Sequence, residues 1–219
     1  MRQPFSVVRI AILLCAFLAA PAAFADFKVA KLSGGGEVPS PFKKAVQSEG
    51  IQVKNDAGQP YVELWLNKAL NAEAKDPSFD VIHTGVPEGS FLGVIRFVEQ
   101  SADFRSQPVK PGYYTMRYAL MPTDGNHLGV SQYRDFIVLV PVEADKDPAA
   151  NLPFAQAVSL SRKASGTGHP SIWAVFPSSD GEQPTVVQND LGHHVLQVKV
   201  PAKSGAAIPL AFVIEGHGE

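Results

Sequence analysis

Apolar residues in this chain recur at every second position over short stretches, and glycine and proline, 18 of each, fall between those stretches. Alternation with a period of two puts every other side chain on one face of an extended strand. Such stretches therefore form strands half-buried on a core, and the Gly/Pro punctuation marks the turns between them. His194, Leu196, Val198 and Val200 alternate with Val195, Gln197 and Lys199. Ile208, Leu210, Phe212 and Ile214 repeat the pattern, with Pro209 placing that strand at a sheet edge or making it a strand start. Val62, Leu64 and Leu66 do the same after Gln59-Pro60.

The centre of the chain carries the densest apolar segments. Phe91 to Val98, Tyr113 to Met121 and Asp135 to Val142 read as strands, and Phe136-Ile137-Val138-Leu139-Val140 is apolar on both faces. A strand of that kind belongs in the middle of a sheet covered on both sides. Further strands are expected at Phe27 to Leu32, Gly50 to Lys54, Ser171 to Phe176 and Thr185 to Gln188, about ten in all at the spacing of β-sandwiches. One short helix is expected from about Leu152 to Ser165, started by Asn151, stopped by Gly166 and packed at the sheet edge. Ser33-Gly34-Gly35-Gly36 and Lys75-Asp76-Pro77-Ser78 read as loops. The expectation is a mainly β fold, an antiparallel sandwich of Ig-like or jelly-roll-like kind with one helix at its edge.

The N-terminus reads as a secretory leader. Arg2 and Arg9 precede the apolar run Ile10 to Ala20, and Ala23-Phe24-Ala25 offers small residues where a signal peptidase reads, so cleavage is expected between Ala25 and Asp26. The run rises only about 16 Å as a helix, roughly half the hydrocarbon core, which argues against a retained anchor. Cleavage leaves residues 26–219 as one domain and removes Cys15, the single cysteine. It also removes 2 of the 19 basic side chains, leaving 17 against 21 acidic ones. That dispersed, net acidic charge argues against nucleic acid as a partner. The protein is expected in the periplasm or outside the cell, with no membrane span after cleavage and no cofactor.

Chemistry is concentrated in loops. Asp124, Asn126, His127 and Asp135 surround the connection between two core strands, where their oxygens offer a site to a hard cation such as calcium. Asp-Gly-Asn is also ordinary turn chemistry, and the acidic ligands are too few for a calcium loop. Of six histidines, His193 and His194 are adjacent, but strand neighbours point to opposite faces and so chelate poorly together. His194 is expected inward and His193 at the surface, and no zinc spacing is present. Ser165 to Ser171 resembles a phosphate loop in composition, yet it follows a helix instead of preceding one, so it reads as a helix stop and turn. His169 beside Ser165 or Ser171 would suit nucleophilic catalysis, but no GxSxG elbow supports it. Arg117 is expected on the solvent face of its strand with Tyr113 and Thr115, and Glu143, Asp145, Lys146 and Asp147 are expected to prepare the helix start.

Pro111 to Tyr118, followed by Asp124 to Gly129 and Tyr133 to Phe136, loosely resembles exported bacterial β-sandwich proteins of no assigned activity. The resemblance covers about 26 residues and implies the fold alone. The reading preferred here is a non-enzymatic exported module that binds a protein or small-molecule partner through Asp124, Asn126, His127, His169 and Arg117. The alternative is a hydrolase, metal-dependent or serine-based, assembled from the same loops.

Overall fold

The computed structural model describes residues 27–32, 38–124, 127 and 129–218. The expected leader, its expected cleavage site and the Ser33-Gly36 loop lie outside them. Among the described residues twelve strands and one α-helix follow in chain order: β1 Lys28–Leu32, β2 Gly50–Lys54, β3 Pro60–Leu66, β4 Phe91–Phe97, β5 Ser101–Ala102, β6 Pro108–Val109, β7 Gly112–Leu120, β8 Asp135–Pro141, α1 Phe154–Ser165, β9 Ser171–Phe176, β10 Thr185–Gln188, β11 His194–Val200 and β12 Ile208–Glu215.

Ten strands join in one sheet, in the order β1-β2-β3-β4-β7-β8-β9-β12-β11-β10, every pair antiparallel. Strands β5 and β6 form a separate small hairpin. The fold is therefore mainly β, antiparallel, with a single helix. Where two stacked sheets were expected, hydrogen bonding instead runs through one sheet that curls until β1 and β10, its two ends, lie close together. Irregularities of register at Val53/Lys54, Phe91/Gly93 and His194/Val195 supply extra local twist, which helps a long antiparallel sheet to close.

The alternation of the sequence sorts side chains between the inside and the outside of this nearly closed barrel. Leu64, Ile95, Met116, Ile137, Trp173, Leu196 and Phe212 meet in one interior cluster. The interior is packed, with Phe97, Met116, Trp173 and Phe212 each no more than 2% exposed. Tyr114 faces this interior while its neighbour Tyr113 packs against the outside cluster around Trp65 and Phe91, as alternation requires.

β8 is buried along its whole length. Its inner residues Ile137 and Leu139 join the interior, and its outer residues Val138 and Val140 pack with Ala157 of α1. A strand apolar on both faces needs a cover on both, and this places α1 over the middle of the sheet rather than at the edge. The helix starts at Phe154 after Pro153, without a side-chain cap, so Asn151 does not start it. Gly166 closes it, its N–H donating to Arg162 O at 3.0 Å. Pro209 sits in the second position of β12, a strand start, and β12 itself lies between β9 and β11.

Candidate functional site

Arg117 does share the outer face with Tyr113 and Thr115, but it is wholly buried. The segment after β8 folds back over it, so that Nη1 donates to Gly89 O at 3.1 Å and Ala150 O at 2.6 Å and Nη2 to Asp147 O at 2.7 Å. Asp145 takes the other donors of the guanidinium. All five are thereby spent inside the protein, leaving none for a ligand. Alternation predicts a residue's face but not what covers it, which is why the expected solvent position is wrong. Of the mixed charge cluster Glu143, Asp145, Lys146 and Asp147, Asp145 through its carboxylate and Asp147 through its backbone carbonyl serve Arg117 instead of the helix start.

Asp124, His127 and His169 fare differently. Asp124 Oδ1 lies 2.5 Å from His127 Nδ1, both partly exposed, and His127 and His169 line the same small apolar pocket under α1. Asn126 lies outside the described residues. Asp135 does not join them: its carboxylate is buried and accepts the backbone N–H of Ile82 at 2.8 Å, that of His83 at 3.0 Å and the Tyr118 hydroxyl at 2.7 Å. The four-residue cation loop is therefore not assembled. Among the described residues no three His, Cys, Asp or Glu side chains are grouped to hold a metal ion.

The serine–histidine pairing near Gly166 is not formed either. Ser165 Oγ donates to the backbone carbonyl of His169 at 2.6 Å, not to its ring. His194 is buried as expected and pairs with Glu215 at 2.9 Å. His193 is buried too, edge-on to Phe104 and Phe176, with Nε2 3.0 Å from His217 O. It packs into an apolar cluster on the outside of the barrel, which the alternation alone assigns to solvent.

A concavity the sequence did not reveal is a cleft of about 500 Å³ beside His83. That volume is ordinary for a small-molecule site. One wall is the segment from Glu73 to Val86, braced by Ser78 N–H to Val81 O at 2.8 Å and Thr84 Oγ1 to Asp76 O at 2.9 Å. The opposite wall is the β9–β10 connection. There Gln197 Oε1 accepts the Ser178 hydroxyl at 3.1 Å and the Ser179 hydroxyl at 3.0 Å, and Gln183 Nε2 donates to Ser178 Oγ at 2.8 Å. Lys199 lines the cleft with no ionic or hydrogen-bonded partner among the described residues, whereas Lys75 is paired with Glu73 at 3.3 Å. Phe79 stands fully exposed at the tip of the first wall's loop.

His83 gives this cleft its chemistry. The residue is 8% exposed, and its Nε2 is buried without a hydrogen-bond partner among the described residues. Burial pushes the imidazole below its ordinary pKa, against a smaller upward pull from the Asp135 carboxylate, so the ring is held neutral near pH 7. Burial and then the Asp135 carboxylate drive the Tyr118 phenol far upward, fixing it as a donor. The backbone of the histidine is thus anchored by Asp135, and its ring packs edge-on to Tyr118 with centroids 6.3 Å apart. The signal available in the sequence was slight: Val81 and Ile82, an apolar pair in a polar loop, mark a point where the loop dips into the core.

No helix among the described residues is long and apolar enough to cross a membrane. No protein-family model, curated protein or solved structure matches the chain.

Proposed function

We propose that the protein is an exported, non-enzymatic binding module, one domain over residues 26–219, that holds a small polar ligand in the cleft beside His83. The observation that carries this reading is a neutral, buried imidazole nitrogen left unbonded at a cleft of ligand size, since buried polar atoms are almost always paired. A ligand hydroxyl or amide that reaches this nitrogen through a small movement of the cleft wall would complete the missing bond. Lys199, whose ammonium has no partner among the described residues, favours a ligand that also carries a carboxylate, while Pro77, Pro177 and Pro209 offer it apolar wall. The packed interior supports a flattened, sandwich-like shell that binds at its end and not a hollow carrier. The leader supports a periplasmic or extracellular site of action.

The test is a thermal-shift screen of sugars, sugar acids, amino acids and small organic acids on the purified protein, because a ligand of the native state raises its melting temperature. A compound that stabilises the native protein, and does so less in His83→Ala and Lys199→Glu, supports the cleft. A compound whose effect is unchanged in both variants binds elsewhere and contradicts it.

One observation favours the hydrolase alternative: the Asp124–His127 contact resembles the acid–base pair that orients an imidazole for proton transfer. The pocket it borders has no serine, threonine or cysteine among its described lining residues, so water would be the nucleophile. Hydrolysis of p-nitrophenyl butyrate above the buffer rate, abolished in His127→Ala, supports that reading. A rate equal to buffer disposes of it.

A further inference from the structure

The apolar pocket under α1 is a second site, remote from His83 in its lining residues and different in character. It opens where two outside clusters meet at Ile172: Phe136 belongs to one, Val138 and Phe154 to the other. With Met121 and Val158 they leave an apolar slot of about 90 Å³. An engineered cavity of roughly 150 Å³ takes up benzene, so this one suits an alkyl chain of about four or five carbons.

The rim carries one permanent cation. Arg105 is the one permanently charged residue of the lining, His169 and His127 are its other ionisable members, and the Asp124 carboxylate lies just outside the lining, engaged by His127 Nδ1 at 2.5 Å. Among the described residues the Arg105 guanidinium has no hydrogen-bond or ionic partner, and neither does the ring of His169. Both are nonetheless displayed on braced backbone. Asp103, 1% exposed, accepts Arg105 N–H at 2.9 Å, Gln107 N–H at 2.9 Å and Gln107 Nε2 at 2.8 Å, which closes the turn between β5 and β6. Ser106 in that turn is held at a φ of +59°, an uncommon conformation for a serine. Gln107 Nε2 also reaches Pro170 O at 3.0 Å, and Thr167 Oγ1 bonds Gln107 Oε1, which ties the Arg105 turn to the His169 loop. A buried acid and a strained turn are spent on fixing two cationic or imidazole groups at the mouth of an apolar slot.

We propose that this slot binds a short-chain aliphatic carboxylate, its alkyl chain against Phe136, Val138 and Val158 and its carboxylate at Arg105 and His169. Arginine offers the planar two-donor fork that a carboxylate matches, and the lining holds no acid to compete for it. An alcohol of equal length would gain the apolar contacts without the ion pair.

The test is a titration of the purified, methyl-labelled protein with sodium hexanoate, 1-hexanol and sodium acetate, followed in the methyl NMR signals of Met121, Val158 and Ile172. Hexanoate is expected to shift these signals saturably and to bind about tenfold more tightly than 1-hexanol, the worth of one charge-assisted contact. Acetate is expected to leave them unmoved. Arg105→Glu, on an exposed turn, should remove that advantage while leaving hexanol binding as it was, and Val158→Trp should fill the slot and abolish both. Equal binding of hexanoate in wild type and Arg105→Glu overturns the proposal. So does a response to a peptide with a free C-terminal leucine in the absence of one to hexanoate, which would make the slot a peptide-docking site.

Discussion

Arg117 and Asp145 face each other as a two-point ion pair with neither side chain exposed, Nε donating to Oδ2 and Nη2 to Oδ1, each at 2.8 Å. Thr115 Oγ1 donates to the same carboxylate at 2.6 Å, and Arg117 lies over the Phe91 ring at 5.3 Å. The pair fastens the segment after β8 to the outer face of β7. Such a pair adds little over a well-packed apolar substitute, but breaking it strands a charge in a dry site.

Arg117→Met is therefore expected to cost about 3–5 kcal/mol, read from urea denaturation midpoints. The double variant Arg117→Met with Asp145→Leu should recover part of that loss, the rest staying with the Ala150 and Asp147 carbonyls that lose their donor. Arg117→Lys should be closer to the methionine variant than to wild type, because an ammonium cannot reproduce the fork. A loss below about 1 kcal/mol in Arg117→Met would contradict the buried, saturated geometry.

Gly89 tests the same region through the backbone. Its φ is +80°, and a Cβ there would lie 2.1 Å from Leu152 O. Its own carbonyl accepts both Arg117 Nη1 and the Leu152 N–H at 3.1 Å. Gly89→Ala is expected to cost about 3 kcal/mol or more, from strain and overlap together. Gly58 has a similar φ of +74° but open space around it, so Gly58→Ala should cost only about 1 kcal/mol. Equal losses in the two variants would mean that the segment around Leu152 does not press on Gly89.

The buried histidines predict an acid-sensitive fold. His83 and His193 both have pKa values lowered by burial, so the native state binds fewer protons than the unfolded chain, whose histidines titrate near 6.5. Stability should be full above pH 6.5 and fall as the pH drops below it, levelling off once the depressed native values are passed. Melting temperatures from pH 8 to pH 5 check this. His83→Gln should flatten the fall by removing one of its sources, and a melting temperature that rises toward pH 5 would contradict it.

Export predicts a defined new N-terminus. Protein recovered from the periplasm or medium of an expressing bacterium should begin at Asp26, as read by N-terminal sequencing, and material still beginning at Met1 would refute the leader.

The strands were legible because each depends on its own residues. β2, β9, β10 and β11 have the bounds that alternation assigns, and the two-faced apolarity of Phe136 to Val140 correctly predicts a strand covered on both sides. Closure was not legible, since alternation fixes the face of a strand but not its partners, and the link of β9 to β12 rests on only Ala211↔Phe176 and Phe212↔Val175. Sites suffered most, because they are made by residues far apart in the chain. His83 is anchored by Asp135, 52 positions away, and Arg117 by Asp145, 28 away. His127 and His169 do converge, as loop residues flanking core strands can, but on an apolar slot and not on a ring of oxygen ligands.

The most direct measurement of the central claim is the side-chain 15N NMR spectrum of His83 at pH 6 to 8, recorded with and without a ligand found by thermal shift. A ring that titrates below the ordinary 6.5, with its Nε2 resonance moved by the ligand, is the predicted result. A ring that titrates at or above 6.5, or an Nε2 signal untouched while the ligand binds, would contradict the account.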